Sequence, residues 1–321
     1  MGKKNRNKGR NRKVDPAPIQ DTKSPMPRGG GMPGWVKIVG PLVVIGIIIG
    51  IWIAMGGGGS GRTHTFSPVT SYPSSTDSAY TQGLEFYKGF LFESTGKEGE
   101  SDWRIVNYKT GKILYRVGLE SSCFGEGVTI LDDKLYQVTW KNQKGFVYDL
   151  KPLGLDNLDP ATATVKDFLR ADGEQKVCPR RSFEYQGQGW GMTNDGTHLI
   201  MSTGSPDGVV YVRKQWVKGK GCELVRKVTV TEDGKPVGKL NELELVDGVL
   251  YANVFLEDDI KVIDFETGEV KYAIDMHGLL PEGTNVASDE VLNGIAHHPE
   301  LGFFVTGKNW PLLFNVTFEK K

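Results

Sequence analysis

The chain contains few of the residues that hold small modules together by covalent or metal cross-links. Its 321 residues include three cysteines and five histidines, which cannot supply a disulfide framework or an array of zinc clusters. It also lacks an overall excess of either charge, because 39 basic residues balance 39 acidic ones. Aromatic residues are plentiful, with 7 tryptophans, 11 tyrosines and 14 phenylalanines. This composition excludes a fully disordered chain and predicts a hydrophobic core.

The balanced total conceals an uneven distribution of charge. Residues 1–37 carry ten basic and two acidic side chains, and residues 38–55 carry no charge at all. Eighteen residues in a helix reach about 27 Å, close to the thickness of the hydrocarbon core of a bilayer. We therefore expect residues 38–55 to form a single transmembrane helix in the lipid bilayer.

The segments on either side of this predicted span differ in character. Basic flanks remain in the cytoplasm, so residues 1–37 are predicted to be a cytoplasmic arm without fixed structure. Residues 56–61, Gly-Gly-Gly-Gly-Ser-Gly, are typical of a linker. Residues 62–321 are predicted to fold on the opposite side, in a periplasm, the extracellular space or a secretory lumen. Their 29 basic and 37 acidic residues argue against nucleic acid as a partner.

A short module recurs five times in residues 62–321. The module is three residues long: a polar or aromatic residue, a central residue that is usually glycine, and an aliphatic residue. Its copies are Gln82-Gly83-Leu84, Glu126-Gly127-Val128, Trp190-Gly191-Met192, Asn241-Glu242-Leu243 and Asn293-Gly294-Ile295. Successive copies are 44 to 64 residues apart, and an apolar run begins eight or nine residues after each central position. Short strands that repeat with a period near 50 are typical of a β-propeller with one four-stranded sheet per repeat.

The predicted fold class is therefore all-β, a five-bladed β-propeller preceded by the transmembrane helix. The fifth repeat reaches the end of the chain after three predicted strands. We expect Thr63–Thr70 to supply the fourth strand and close the ring, which also removes open sheet edges. A β-sandwich is the alternative that the pattern leaves open.

Strand starts in a propeller surround one mouth of its central channel. The predicted ring of strand starts contains Gln82, Glu126, Trp190, Asn241 and Asn293. Because neighbouring strands are antiparallel, the ends of the second strands lie at the same rim, and these carry Glu93, Trp140, Phe255, Lys308 and Trp310. Charged, carboxamide and aromatic groups around one concavity are typical of a site for a small molecule or a peptide end. The alternatives are polar groups that only satisfy the backbone and tryptophans that only pack between sheets.

Eight segments in this order resemble the plant and bacterial glutaminyl-peptide cyclotransferases, or glutaminyl cyclases. They are Tyr80–Leu84, Phe92–Gly96, Phe124–Thr129, Tyr136–Lys141, Gly189–Gly196, Leu240–Glu244, Leu292–Ala296 and Val305–Pro311. The resemblance implies a five-bladed propeller that converts the N-terminal glutamine of peptides or proteins to pyroglutamate and releases ammonia. The family that these segments resemble is unrelated to the zinc-dependent animal type of the enzyme.

The resemblance implies a role for each matching residue. Glu126 would carry the proton, and Lys308 would stabilise the oxyanion. The substrate would be held by Gln82, Asn241, Phe124, Trp140, Trp190 and Phe255. We expect no cofactor and no catalytic metal, since none of the histidines shows zinc-ligand spacing. Whether a structural ion occupies the channel is left open.

Three positions depart from the family pattern: Gln188 replaces a usual Glu, Tyr80 a usual Phe, and Phe255 a usual Trp. These departures keep open a propeller that binds peptides without turning them over. A second alternative is a calcium-dependent hydrolase, because Glu126, Asn241 and Asn293 at the strand starts resemble the calcium site of the lactonase propellers. Cys178 and Cys222 lie in extra segments of the second and third repeats, and their pairing outside the cytoplasm is also left open.

Overall fold

The computed structural model describes residues 62–75 and 79–321, so the predicted arm, membrane span and linker lie outside the described residues. None of the helices within the described ranges is long and apolar enough to cross a membrane. These ranges are almost entirely β, and their helices are three single 3₁₀ turns, Lys151–Leu153, Leu155–Asn157 and Val165–Phe168. The all-β prediction is confirmed.

The strands form five four-stranded sheets, and β1 (His64–Pro73) belongs to the fifth. Sheet I contains β2 (Thr81–Tyr87), β3 (Phe90–Thr95), β4 (Asp102–Asn107) and β5 (Lys112–Gly118). Sheet II contains β6 (Gly125–Leu131), β7 (Lys134–Thr139), β8 (Lys144–Asp149) and β9 (Arg180–Glu184). Sheet III contains β10 (Met192–Asn194), β11 (His198–Ser202), β12 (Val209–Lys214) and β13 (Leu224–Thr229).

A two-stranded hairpin, β14 (Thr231–Glu232) and β15 (Lys235–Pro236), leads to the last two sheets. Sheet IV contains β16 (Leu240–Val246), β17 (Val249–Val254), β18 (Asp259–Asp264) and β19 (Val270–Asp275). Sheet V contains β20 (Leu292–His298), β21 (Gly302–Gly307), β22 (Leu312–Lys320) and β1. The predicted modules begin or precede the first strand of each sheet, and the predicted second strands are present in all five.

The first strands of the five sheets contact one another in a closed cycle. β2 contacts β6, β6 contacts β10, β10 contacts β16, β16 contacts β20, and β20 contacts β2. Within each sheet the strands pair antiparallel from the first strand outward. This propeller-like arrangement places the starts of the first strands and the ends of the second strands at one mouth of the ring.

The ring is closed by the strand that comes first in the described chain. β1 pairs antiparallel with β22, from His64 opposite Lys320 to Pro73 opposite Leu312. This confirms the prediction for Thr63–Thr70 and extends it by three residues. β1 also pairs in parallel with the end of β19, so sheets IV and V are continuous.

The glycines of the repeated module allow the first strands to approach closely. A Cβ atom on Gly127 would lie 2.4 Å from the backbone nitrogen of Met192, and one on Gly191 would lie 2.0 Å from the carbonyl oxygen of Asn241. Any side chain at either position would collide with backbone of the next sheet. Glycine therefore recurs in the modules because the first strands are too close together around the channel to admit a side chain.

Buried carboxyl groups connect the first strands farther along the channel. Both carboxyl oxygens of Glu85 accept the backbone N–H of Ile130, at 3.1 and 3.0 Å. Glu242 accepts the N–H groups of Leu84 and Ile295, at 3.2 and 2.8 Å. Each of these bonds links two different sheets. Burial raises the pKa of Glu85 to about 8 and raises that of Glu242 well above its usual value.

The cysteines do not form disulfides in this structure. Cys123, Cys178 and Cys222 are all buried and free. Cys178 packs with Phe168 in the core between sheets I and II, whereas Cys222 belongs to a separate cluster around sheet III. The two insertion cysteines therefore serve as small core residues of different clusters.

The raised pKa of Glu85 predicts a pH-dependent stability. The folded state holds this proton more tightly than the unfolded state, so the stabilisation is complete below pH 4.5 and is lost as the pH rises through about 8. Glu85→Gln keeps the shape but has no proton to lose. We expect the free energy of unfolding of the wild type to fall relative to that of the variant over this range, by on the order of a few kcal/mol. Urea unfolding at a series of pH values measures the difference, and parallel pH profiles would contradict the assignment.

Candidate active site

Glu126 lies in β6 at the mouth of the ring and is 5% exposed. One carboxyl oxygen, Oε1, accepts a long bond of 3.5 Å from Nε2 of Gln82. The other, Oε2, is buried and has no hydrogen-bond partner among the described residues. Burial raises the pKa of Glu126 well above its usual value, and the positive charge of Lys308 offsets only part of the rise. The Glu126 carboxyl group therefore binds its proton more tightly than a carboxyl group in water does.

Lys308 directly follows β21 and is 3% exposed. Its Nζ lies 4.6 Å from the centre of the Phe255 ring and 5.1 Å from that of Tyr80. No hydrogen bond or ion pair of this Nζ is found within the described ranges. Burial lowers the pKa of Lys308, while Glu126 and Asp289 partly raise it again. The three donor positions of the ammonium group are therefore directed into a site with aromatic walls.

A row of carboxamides approaches Glu126 from the neighbouring sheets. Nδ2 of Asn293 donates to Oε1 of Gln82 at 3.1 Å and to the carbonyl of Thr81 at 2.9 Å. Gln82 in turn faces Glu126. This row fixes the amide group of Gln82 with its nitrogen toward the carboxyl group. Asn293 therefore orients Gln82, a role that the sequence did not predict for it.

The mouth contains buried acceptor atoms that lack donors. Oδ1 of Asn241, Oδ1 of Asn293 and Oε2 of Glu126 are all buried without a hydrogen-bond partner in the described part of the chain. They belong to sheets IV, V and II. Unsatisfied buried acceptors are costly, so their concentration here predicts a ligand that brings N–H donors. An amine and a carboxamide are ligands of this kind.

Two tryptophans are joined through one side chain. Oε1 of Gln188 accepts the indole N–H of Trp140 at 2.8 Å and that of Trp190 at 2.9 Å. Trp140 packs edge-on against Phe124, and Trp190 packs edge-on against Phe255, with ring centres 5.6 and 5.8 Å apart. The four aromatic residues therefore form two packed pairs, and Gln188 connects one pair to the other.

The departure at Tyr80 also has a structural consequence. Its hydroxyl group donates to Oδ2 of Asp289 at 3.0 Å, and its ring packs against Phe124. Phenylalanine at this position would make no such bond. The pKa of the Tyr80 hydroxyl is raised because it is buried and faces Asp289. Sequence reasoning missed Asp289, because it lies in a loop outside the repeated modules.

Two residues expected at the rim, Glu93 and Trp310, form hydrogen bonds with groups other than Glu126 and Lys308. Oε1 of Glu93 accepts the hydroxyl of Thr81 at 2.8 Å, and its carboxyl group lies beside the buried guanidinium of Arg104. Attraction to the positive charge of Arg104 within sheet I accounts for the position of the Glu93 carboxyl group. Trp310 donates its indole N–H to the carbonyl of Glu290 at 2.8 Å and packs against Phe314. Its indole would meet any side chain at Gly307, so it fills the core of sheet V.

The described residues contain one group with the spacing of metal ligands, Asp259, Asp275 and His277. It shares no residue with the site at Glu126. Asp259 pairs with Arg62 at 2.9 Å, and Asp275 pairs with Lys321 at 2.8 Å. These contacts bring the two ends of the described chain to sheet IV and account for the acidic residues there.

Comparison with known proteins agrees with this geometry. The family model described as glutamine cyclotransferase matches residues 59–158 and 165–318. The chain belongs to the glutamine cyclotransferase family. The glutaminyl-peptide cyclotransferase of Arabidopsis thaliana is 33% identical over 268 residues, which cover 81% of this chain and 73% of the relative. The crystal structure of Myxococcus xanthus glutaminyl cyclase matches with a TM-score of 0.66 and 30% sequence identity. The match covers 81% of this chain and 99% of the Myxococcus chain.

Gln188 accepts hydrogen bonds from both Trp140 and Trp190, and its replacement tests whether these bonds position the aromatic wall. Gln188→Leu removes the partner of both indoles, and we expect kcat/KM to fall about three- to tenfold, mainly through KM, because each lost bond contributes little at an exposed position. Gln188→Glu keeps an acceptor and should change kcat/KM by about twofold or less. Steady-state kinetics with a glutamine-initiated peptide separates kcat from KM. Equal effects of the two substitutions would show that the shared bond does not position the wall.

Proposed function

We propose that this chain cyclises the N-terminal glutamine of peptides or proteins to pyroglutamate and releases ammonia. The observation that carries the proposal is the presence of two buried groups of opposite charge, the Glu126 carboxyl group and the Lys308 side chain, at one mouth with aromatic walls. The names of the Arabidopsis and Myxococcus relatives support the same reaction. Neither the calcium-dependent alternative nor the binding-only alternative has a separate observation in its favour.

The reaction joins two ends of one residue. The α-amine nitrogen of the glutamine attacks the carbon of its own side-chain carboxamide, and a five-membered ring forms. A site that holds the chain folded provides much of the acceleration through proximity. Phe124, Trp140, Trp190 and Phe255 supply apolar walls that exclude water. Gln82 and Asn241 supply hydrogen-bonding groups for the bound residue.

Glu126 moves the proton that this reaction displaces. Oε2 of its carboxylate takes a proton from the attacking nitrogen and delivers it to the carboxamide nitrogen, which leaves as ammonia. One group can perform both steps when its pKa lies near the working pH. Burial shifts the pKa of Glu126 upward, in the direction that this condition requires.

Lys308 stabilises the negative charge that develops on the carboxamide oxygen. Its ammonium group needs no reorganisation, because the ring faces of Phe255 and Tyr80 already hold it in place. Little water competes for its donors, since the side chain is almost fully buried. No step requires a metal ion or a cofactor.

The finer architecture is also part of the proposal. We propose a five-bladed propeller held at the outer face of a membrane by residues 38–55, with the basic residues 1–37 in the cytoplasm. The five closed sheets support the propeller, and the charge asymmetry of the sequence supports the orientation.

Replacing the proton carrier tests the reaction directly. Glu126→Gln preserves size and hydrogen bonding but cannot exchange a proton, so ammonia release from a glutamine-initiated peptide should fall about 10² to 10⁴-fold. Glu85→Gln is the matched control, because it also replaces a buried carboxyl group on a first strand but lies away from the mouth. At pH values below about 8, where the wild type has not yet lost all the stabilisation from the Glu85 proton, Glu85→Gln should keep near-normal turnover.

Two results would contradict the mechanism. One is near-normal turnover by folded Glu126→Gln. The other is loss of activity after chelation, with the fold intact and activity restored by calcium or zinc. Peptide binding by the wild type without any ammonia release would instead favour the binding-only function.

Topology is tested in sealed membrane vesicles that contain the full chain. Protease added from the cytoplasmic face should remove about three dozen residues and leave the folded domain intact. Protease added from the opposite face should reach the folded domain and spare the basic arm. Digestion of the domain from the cytoplasmic face would overturn the orientation.

A further inference from the structure

Leu256 is an exposed apolar residue at the mouth of the site. It lies in the turn between β17 and β18, directly after Phe255, and 54% of its surface is exposed. The second strands end at the same mouth as Glu126 and Lys308. The position of Leu256 in the fold is therefore beside the reacting groups, where a bound peptide would extend away from its first residue.

The backbone at Leu256 disfavours leucine. Its φ angle is 72°, in the left-handed region, and the N–H of Glu257 donates to the carbonyl of Val254 at 3.0 Å. This is a tight turn that prefers glycine or asparagine at the third position. The other non-glycine residues with positive φ in the described ranges are all polar: Lys88, Lys97, Asp132, Asp133, Gln143, Asp233, Lys239, Asp247 and Asn309. Leu256 is the only apolar member of that set.

Core packing does not account for the leucine either. More than half of its surface faces solvent, and it belongs to none of the apolar clusters of the described chain. A side chain that is unfavourable for its turn and unused by the core points to a contact outside the folded chain. Scattered exposed leucines are common, so the backbone strain distinguishes this one.

The turn is fixed to the wall of the site. The N–H of Phe255 donates to the carbonyl of Lys239 at 3.0 Å. The ring of Phe255 packs against Trp190 and contacts the ammonium group of Lys308. Leu256 is therefore held next to a residue that touches the reacting groups, and its distance from the site is set by a single peptide unit.

We propose that Leu256 contacts the side chain of the substrate residue that follows the N-terminal glutamine, and that it favours an apolar residue there. The proposal rests on the proposed function and names the class of peptide that the same site prefers. Glu257 and Asp258, the next two residues, are exposed carboxylates, so an acidic second residue is disfavoured by repulsion.

The test compares two peptides that differ only in the second residue, Gln-Leu and Gln-Gly, with Leu256→Asn as the variant. Asparagine suits the left-handed backbone, so the variant should be at least as stable as the wild type. Its kcat/KM should fall about fivefold for the Gln-Leu peptide, as expected for the loss of a partly buried leucine contact, and stay nearly constant for the Gln-Gly peptide. Leu301→Asn is the control, because Leu301 is exposed in the turn between β20 and β21 at the opposite mouth.

Each outcome distinguishes this inference from the proposed function. Turnover of Gln-Gly by the wild type tests the reaction, and the ratio of the two peptides tests Leu256. Equal losses for both peptides, or no change for either, would overturn the inference while leaving the reaction intact. Titration of the same peptides by tryptophan fluorescence measures the ratio even if neither peptide is turned over. If Leu301→Asn lost the preference for Gln-Leu over Gln-Gly as fully as Leu256→Asn, the inference would also be overturned.

Discussion

The close approach of five first strands around one channel is the constraint on which the rest of this structure depends. At Gly127 and Gly191 the neighbouring backbone leaves no room for a Cβ atom, so the strands meet at distances that only glycine permits. Polar groups at this radius are removed from water and must find partners on another sheet. Bonds between sheets therefore determine both the stability of the ring and the chemistry at its mouth.

The same environment gives different properties to similar carboxyl groups. Glu85 and Glu242 are buried in the channel, but backbone N–H groups of other sheets satisfy their oxygens. Glu126 is buried to a similar degree, yet its Oε2 has no partner within the described residues. Glu126 thus differs from Glu85 and Glu242 in its supply of hydrogen-bond donors rather than in the extent of its burial. Lys308 shows the complementary property, a buried donor group enclosed by ring faces.

The departures from the family pattern fit into the site without disrupting it. Gln188 accepts both indole N–H groups of the wall through one oxygen, which a carboxylate would also do. Tyr80 keeps its ring against Phe124 and adds a bond to Asp289 in the loop before β20. The effects of both substitutions are on charge and on the ties between neighbouring sheets.

The amino-acid sequence by itself determined the all-β class, the five repeated units, the closing role of Thr63–Thr70, and the position of Glu126 and Lys308 at one mouth. These follow from periodicity and from the position of a residue relative to its own strand, which are local properties. Only the tertiary structure decided that Asn293 orients Gln82, that Gln188 joins two tryptophans, and that Glu93 and Trp310 bond to Thr81 and Glu290. These contacts connect residues on different sheets or turn a side chain toward a buried charge such as Arg104. No local pattern encodes them, because they depend on which backbone and side-chain groups reach the same point after the ring has closed.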